Sequence, residues 1–266
     1  MNRLLLLSML VCVSTIAPTS AQDFEAGQRA FRAQDYVTAI REWTSLANAG
    51  NVRAQFNLAE MYAEGRGVEK DIKQAADWYR MAAEQDYVRA QVRLGELYEA
   101  GRGFTEARKW YLKAAEQGVA RAQYTLARMY WSGRGVTKDY AEAAKWYRKS
   151  AEQDYAKAQS SLGYLYMQGQ GVPKSSKDAA RWFHKAANLG NEVAQYRLGN
   201  LFALGEGVIK DEVAAFYWLT VAMNGSTGKL NEDAAAERAS LENALTPEQI
   251  ASIEERARAW HVSLPN

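Results

Sequence analysis

The sequence predicts an all-α protein, a right-handed α-solenoid of helical hairpins, on three observations. First, the 36-residue stretch Val119 to Asp154, VARAQYTLARMYWSGRGVTKDYAEAAKWYRKSAEQD, recurs along the chain. Asn51 to Asp86, Tyr155 to Gly190 and Asn191 to Ser226 align with it without a gap, and Tyr87 to Gly118 aligns once four residues are omitted. Second, each copy has two stretches of helical period separated by a Gly-rich turn. Third, a period of this size with two helical halves marks an array in which no copy buries its own apolar face, and stacking supplies the core.

The elements of one copy follow from local chemistry. Ala, Leu and Tyr (Phe in the last copy) at positions 4, 8 and 12 lie one turn apart on one face of a first helix. In order they are Ala54, Leu58 and Tyr62; Ala90, Leu94 and Tyr98; Ala122, Leu126 and Tyr130; Ala158, Leu162 and Tyr166; Ala194, Leu198 and Phe202. A small residue at position 9 (Ala59, Gly95, Ala127, Gly163, Gly199) admits a close neighbour. Gly65, Gly101, Gly133, Gly169 and Gly205 stand where the helix must stop, and positive φ is expected at each. Asp71 with Gln74 and Asp139 with Glu142 have capping-box spacing for a second helix, Asp211 serves as a lone cap, and Ser175 or Ser176 fills that role in the fourth copy. That helix carries Trp78, Trp110, Trp146, Trp182 and Trp218, expected to fill the layer between hairpins.

Together the segments A-Q-x-x-L-[AG]-x-x-[YF], G-x-G-[VF] and A-x-x-W-[YFL], with Gln55, Gln91, Gln123, Gln159 and Gln195 as the glutamines, resemble the Sel1-like repeat, a relative of the tetratricopeptide repeat. The resemblance spans the five copies 51–86, 87–118, 119–154, 155–190 and 191–226. It implies a protein-binding scaffold. Exported members of that family act as adaptors in envelope signalling, polysaccharide production and host interaction, and the resemblance does not choose among these. Some secreted members are stapled by cysteine pairs in each repeat, a pattern this chain lacks.

Atypical ends are expected, because an array otherwise presents an open apolar face. Residues 23–50 read as an N-terminal capping hairpin turning at Gln34-Asp35-Tyr36, with Ala39, Ile40 and Trp43 imitating a second helix. Residues 227–266 read as C-terminal capping helices. Here Thr227 to Asn231 is turn-like, and the helical runs are Glu232 to Ala244 and Pro247 to His261, with Thr246 as N-cap and Leu241, Leu245, Ile250, Ile253 and Trp260 closing the core. Residues 1–21 have the form of a secretory signal: Arg3, an apolar run from Leu4 to Ile16, and Thr19-Ser20-Ala21 before cleavage. A lipoprotein signal centred on Cys12 is disfavoured by Val11. The expected location is periplasmic or secreted, and the sole cysteine leaves with the signal.

Of the 266 residues, 48% are hydrophobic and 24% charged, enough for a sizeable core with both signs mixed. The formal net charge of +2 argues against a general nucleic-acid or membrane-surface binder. No cofactor or metal is expected. His184 and His261 lie far apart, and no H-E-x-x-H, C-x-x-C or G-x-S-x-G occurs. Ser226-Thr227-Gly228-Lys229 satisfies S-x-x-K, but S-D-N and K-T-G are absent. No catalytic residue is assigned, and the chain is read as a non-enzyme. A cell-wall-directed hydrolase of β-lactamase-like activity stays open as an alternative, as does a structural component of the envelope.

What remains is surface. In tetratricopeptide-like arrays the first helices line the concave side, and the resemblance carries that over to a partner-binding groove of Arg53, Phe56, Arg89, Arg93, Arg121, Tyr124, Arg128, Trp131, Lys157, Tyr164, Tyr196 and Arg197. Arginine forks match carboxylates and aromatic side chains anchor partners, so a protein or peptide rich in carboxylates is the expected ligand. Glu60, Glu64, Glu96 and Glu99 are positioned to neutralise many of these arginines.

Overall fold

The computed structural model describes residues 20–260. Cys12 and His261 lie outside them, as does the expected secretory segment except for its last two positions. Among the described residues the fold is all-α, with the successive hairpins of a right-handed α-solenoid, and no helix is long and apolar enough to cross a membrane. The chain divides into two compact units, ending at Tyr87 and beginning at Val88.

The first unit holds α1 (Ser20–Arg32), α2 (Tyr36–Asn48), α3 (Val52–Glu64) and α4 (Ile72–Glu84). Each of the last three begins where a side chain accepts an otherwise orphaned backbone N–H: Asp35 from Thr38, Asn51 from Ala54 and Asp71 from Gln74, at 2.9–3.1 Å. Trp43 is buried, its indole N–H pointing at the carbonyl of Phe24. It lies against Gly27, where a Cβ would fall only 2.4 Å from the ring nitrogen.

The second unit holds α5 (Val88–Ala100), α6 (Phe104–Glu116), α7 (Ala120–Ser132), α8 (Tyr140–Ala151), α9 (Ala156–Gln168), α10 (Ser176–Asn188), α11 (Glu192–Leu204), α12 (Glu212–Gly225), α13 (Gly228–Leu241) and α14 (Pro247–Ala259). Asp139, Ser175 and Asp211 cap α8, α10 and α12, which settles the choice between Ser175 and Ser176. Thr246 and Gln249 form a complete capping box on α14.

Both glycines of each long turn take positive φ, and the second has a further task. Gly133, Gly169 and Gly205 sit at φ of 69–76° and end the first helix. The second glycine is seated on the preceding hairpin: a Cβ on Gly135, Gly171 or Gly207 would come within 2.1–2.3 Å of the backbone oxygen of Phe104, Tyr140 or Ser176. Each turn thus rests on the first turn of the preceding second helix, and no side chain fits between them. In the shortened copy the expectation for Gly101 fails. With four residues missing, only Gly101 to Gly103 join α5 to α6, and Arg102 takes the left-handed conformation at φ 61°.

Positions 4, 8 and 9 are buried in all five copies. Opposite the small position 9 lies the residue after each tryptophan. A Cβ on Gly95, Gly163 or Gly199 would be 2.7–3.0 Å from the side chain of Tyr111, Phe183 or Leu219. Trp146, Trp182 and Trp218 are buried as expected, but Trp78 and Trp110 are only half-buried. The deeper plugs are Tyr79, Tyr111, Tyr147, Phe183 and Leu219, which helix rotation turns directly inward. The tryptophans lie at the edge of the layer, where lysines cover them, Lys149 at 4.1 Å from the Trp146 ring and Lys185 at 5.0 Å from that of Trp182.

The glutamine at position 5 joins hairpin to hairpin. The side-chain amide N–H of Gln55, Gln123, Gln159 and Gln195 donates to the carbonyl of Ala47, Ala115, Ala151 and Ala187, all at 3.0–3.1 Å. Its oxygen accepts in turn from a glutamine ending the second helix of its own copy: Gln85 to Gln55, Gln117 to Gln91 and Gln153 to Gln123, at 2.8–2.9 Å. In the fourth copy that place is taken by Leu189, and the buried side-chain oxygen of Gln159 has no partner.

At the C-terminal end α13 starts at Gly228 rather than Glu232. Asn231 explains the early start: its side-chain amide donates to the carbonyls of Met223 at 2.6 Å and Ser226 at 3.3 Å, closing the end of α12 while sitting inside α13. Ile253 and Ala257 are buried, and Leu241, Leu245, Ile250 and Trp260 partly so. Arg238 ties the end together by donating to Thr220, Glu242 and Glu254 and lying 4.4 Å from the Phe216 ring.

Candidate functional site

Within the second unit the first helices α5, α7, α9 and α11 carry three adjoining cavities. One, of about 280 Å³, is walled by Tyr124, Arg128 and Trp131 of α7, Ser161 and Tyr164 of α9, and Val193 and Arg197 of α11. Tyr147, Ser160, Leu165 and Phe183 also line it. A second, of about 430 Å³, lies among Glu96, Glu99, Tyr111, Arg121, Tyr124, Arg128, Tyr155 and Lys157. A third, of about 120 Å³, is bounded by Glu99, Arg128, Trp131 and Arg134. Arg128 lines all three.

Seven of the expected groove residues therefore come together: Arg121, Tyr124, Arg128, Trp131, Lys157, Tyr164 and Arg197. Arg89, Arg93 and Tyr196 line none of these cavities. Arg93 is exposed beside Glu96 at 3.1 Å, and Tyr196 is half-buried with the Arg197 guanidinium 5.7 Å from its ring. Arg53 belongs to the first unit, 4.1 Å from the Phe24 ring. Phe56 is a correction. It is only 3% exposed, packed on Tyr79 and Tyr87 at ring separations of 5.7 and 5.3 Å, because a side chain with no polar tip has nothing to draw it out of that nest.

One of the nearby acids neutralises two of these arginines. Glu96 binds both Arg93 and Arg121, at 3.1 and 2.7 Å. Glu64 pairs with Arg66 outside the expected set, and Glu60 and Glu99 accept from the hydroxyls of Tyr79 and Tyr111. Among the described residues no carboxylate lies within ion-pairing distance of Arg128, Lys157 or Arg197. Arg128 leans on Tyr124 at 5.8 Å from the ring. Burial drives the hydroxyl pKa of Tyr147 and of Tyr124 upward, so both remain neutral donors across the physiological range.

The floor of the 280 Å³ cavity was not legible from the repeat pattern. Tyr147, Ser160, Leu165 and Phe183 were not among the expected groove residues, although Ser160 shares its repeat position with Phe56, Tyr124 and Tyr196. A signal existed in the tyrosine following the tryptophan in the first three copies, since a buried hydroxyl needs a partner.

The S-x-x-K stretch lacks the geometry of a nucleophile. Lys229 is paired with Asp233 at 2.6 Å, which raises its pKa and holds it as the ammonium. Ser226 is buried at the end of α12. His184 is exposed, beside Asn188 and the edge of Trp218. Among the described residues no group of three or more His, Cys, Asp or Glu side chains is placed to hold a metal ion.

Stacked hairpins with fixed glutamine and glycine joints, and a row of cavities along their first helices, define an α-solenoid of the protein-interaction scaffold class. The chain belongs to the Sel1 repeat family, whose profile matches residues 52–87, 88–119, 120–155, 156–191 and 193–222. Sel1 repeat proteins bind proteins and are generally non-enzymatic. A Sel1 repeat protein from Oxalobacter formigenes superposes with a TM-score of 0.76 at 32% identity, covering 89% of this chain and 99% of that one. A protective antigen of uropathogenic Escherichia coli strains, displaying an SLR fold, gives a TM-score of 0.55 at 30% identity over 91% of this chain and 62% of its own. No curated protein sequence matches the chain.

Proposed function

We propose that the first-helix face of the second unit captures a carboxylate-bearing segment of a protein or peptide partner, acting as a scaffold or regulator with no bond-making step. The observation that carries this reading is the row of Arg128, Lys157 and Arg197, which have no carboxylate beside them while Tyr124, Trp131 and Tyr164 wall the same cavities. Guanidinium groups left unpaired beside aromatic walls suit an incoming acid, and aromatic anchors supply the apolar part of the contact.

Photo-crosslinking amino acids placed at Trp131 and Lys157, with the exposed Lys145 of α8 as control, test this reading in native cells. Protein adducts from 131 and 157, absent at 145 and lost when Arg128 is changed to Glu, are the expected outcome. Equal labelling at all three positions, or none at 131 and 157, refutes it.

The same proposal places the protein in the periplasm or outside the cell, on the strength of the segment Met1 to Ala21. Amino-terminal sequencing of the product made from the full chain should begin at Gln22. A product beginning at Met1 in the cytosol refutes export.

A further inference from the structure

We infer that the 280 Å³ cavity between α7, α9 and α11 is a subsite for the C-terminal carboxylate of a peptide whose last side chain is apolar. The inference rests on the binding face proposed above and names the ligand group at one point of it.

The repeats themselves carry the argument. The residue after the tryptophan is a tyrosine in the first three copies, and in the first two its hydroxyl is satisfied by a carboxylate of the same copy. Tyr79 donates to Glu60, and Tyr111 donates to Glu99 at 3.0 Å. In the third copy Tyr147 keeps the hydroxyl, but both acid positions have changed. Arg128 stands where the first two copies have Glu60 and Glu96, and Trp131 stands where the second has Glu99. The acid has been lost and a cation put in its place, with an open cavity at that point. Ser161 is the side chain beside the Tyr147 hydroxyl, and a carboxylate entering from outside meets Arg128 where the earlier copies hold an acid of their own.

The lining says more about that ligand. Arg128 and Arg197 offer guanidinium groups without a carboxylate of their own, and Ser160 and Ser161 lie alongside. Leu165, Phe183, Val193 and the Tyr147 ring make the rest of the wall apolar. Only a chain terminus carries a carboxylate and an apolar side chain on one carbon atom. An internal Asp or Glu brings the acid without the apolar group, so this mixture of walls favours the terminus. Burial keeps Tyr147 protonated, hence a donor toward an acid.

The test uses the purified chain and fluorescein-labelled peptides Gly-Ser-Gly-Ser-Ala-X, with X as Ala, Leu or Phe. Each is made as the free acid and as the C-terminal amide, and a third series is amidated but carries an internal Glu. Fluorescence polarisation should show saturable binding of at least one free acid, with its amide and the internal-Glu peptide at least tenfold weaker. Arg128→Gln and Arg197→Gln should each weaken that binding about tenfold, and Tyr147→Phe severalfold. Arg128→Glu supplies an acid in cis, as Glu60 does for Tyr79, and should abolish binding without lowering the melting temperature. No saturable free acid below 1 mM, or amides binding as tightly as acids, overturns the inference. Preference for the internal Glu overturns the chain terminus. Adducts at Trp131 and Lys157 alongside either result leave the broader binding face standing, whereas their absence alongside a free-acid preference removes the broader face and retains the cavity.

Discussion

Leu189→Gln should stabilise the protein, because it installs a rung missing from a row of glutamine pairs. Gln85, Gln117 and Gln153 each cap the side-chain oxygen of a buried glutamine in their own copy, at 2.8–2.9 Å. The oxygen of Gln159 is equally buried and lacks that bond, while its amide N–H groups are engaged by Ala151 and Asp154. Leu189 ends α10 with its N–H on the carbonyls of Lys185 and Ala186, at the same place in its copy as Gln153 in the preceding one. A net hydrogen bond contributes about 0.5–1.5 kcal/mol, and an orphaned buried acceptor costs about 1–3 kcal/mol. Ordering the new glutamine and giving up the half-buried leucine offset part of that gain, leaving about 1 kcal/mol. At this size that is about 2–4 °C in Tm. Circular dichroism melts give the shift, and hydrogen exchange localises it, since each repeat contacts only its neighbours. The mirror change Gln153→Leu should cost about 1–3 kcal/mol by orphaning Gln123. A lower Tm for Leu189→Gln together with a harmless Gln153→Leu refutes the role given to these pairs.

Gly199→Ala should destabilise by about 1–3 kcal/mol, since its Cβ falls 2.7 Å from Leu219 Cγ, and a double-mutant cycle of urea melts should show it costing less in a Leu219→Ala background. Asp139→Ala should cost about 0.5–2 kcal/mol, because its carboxylate caps both Ala141 and Glu142; Asp139→Ser should recover most of it in the same assay. Alkaline stability has a fixed sign. Burial, and for Tyr111 the neighbouring Glu99, hold the pKa values of Tyr111 and Tyr147 above the ordinary 10.0, so the unfolded chain releases these protons first and stability falls as pH rises past 10. Absorbance at 295 nm should show two phenols ionising only as helical circular dichroism is lost; titration of all the tyrosines in a fully helical protein refutes it.

Much of the hairpin architecture was legible because every landmark recurs. A single Gly or Ala at position 9 says little, but five at one spacing mark a close approach, and Gly95, Gly163 and Gly199 meet Tyr111, Phe183 and Leu219 there. Illegible features were of two kinds. Some depend on a neighbouring copy, which periodicity does not reveal: Gly135, Gly171 and Gly207 take positive φ and are also touched by another hairpin's backbone. Others are local departures. Deleting four residues moved the left-handed position from Gly101 to Arg102, and Asn231 drew the start of α13 forward by closing α12.

The candidate face shows the same division at the level of single atoms. Phe56 and Tyr124 share one repeat position and nearly the same nest, Phe56 at 5.7 and 5.3 Å from Tyr79 and Tyr87, Tyr124 at 5.7 and 5.2 Å from Tyr147 and Tyr155. The phenylalanine is buried, while the tyrosine borders two cavities. A hydroxyl at the ring tip favours contact with a polar space, and the bare ring gains nothing from it. The consensus that builds the stack is therefore silent on binding, because it records what all copies need. Specificity lies where the copies differ while the stack stays intact, and in this chain the third copy carries Arg128 where the first two carry an acid.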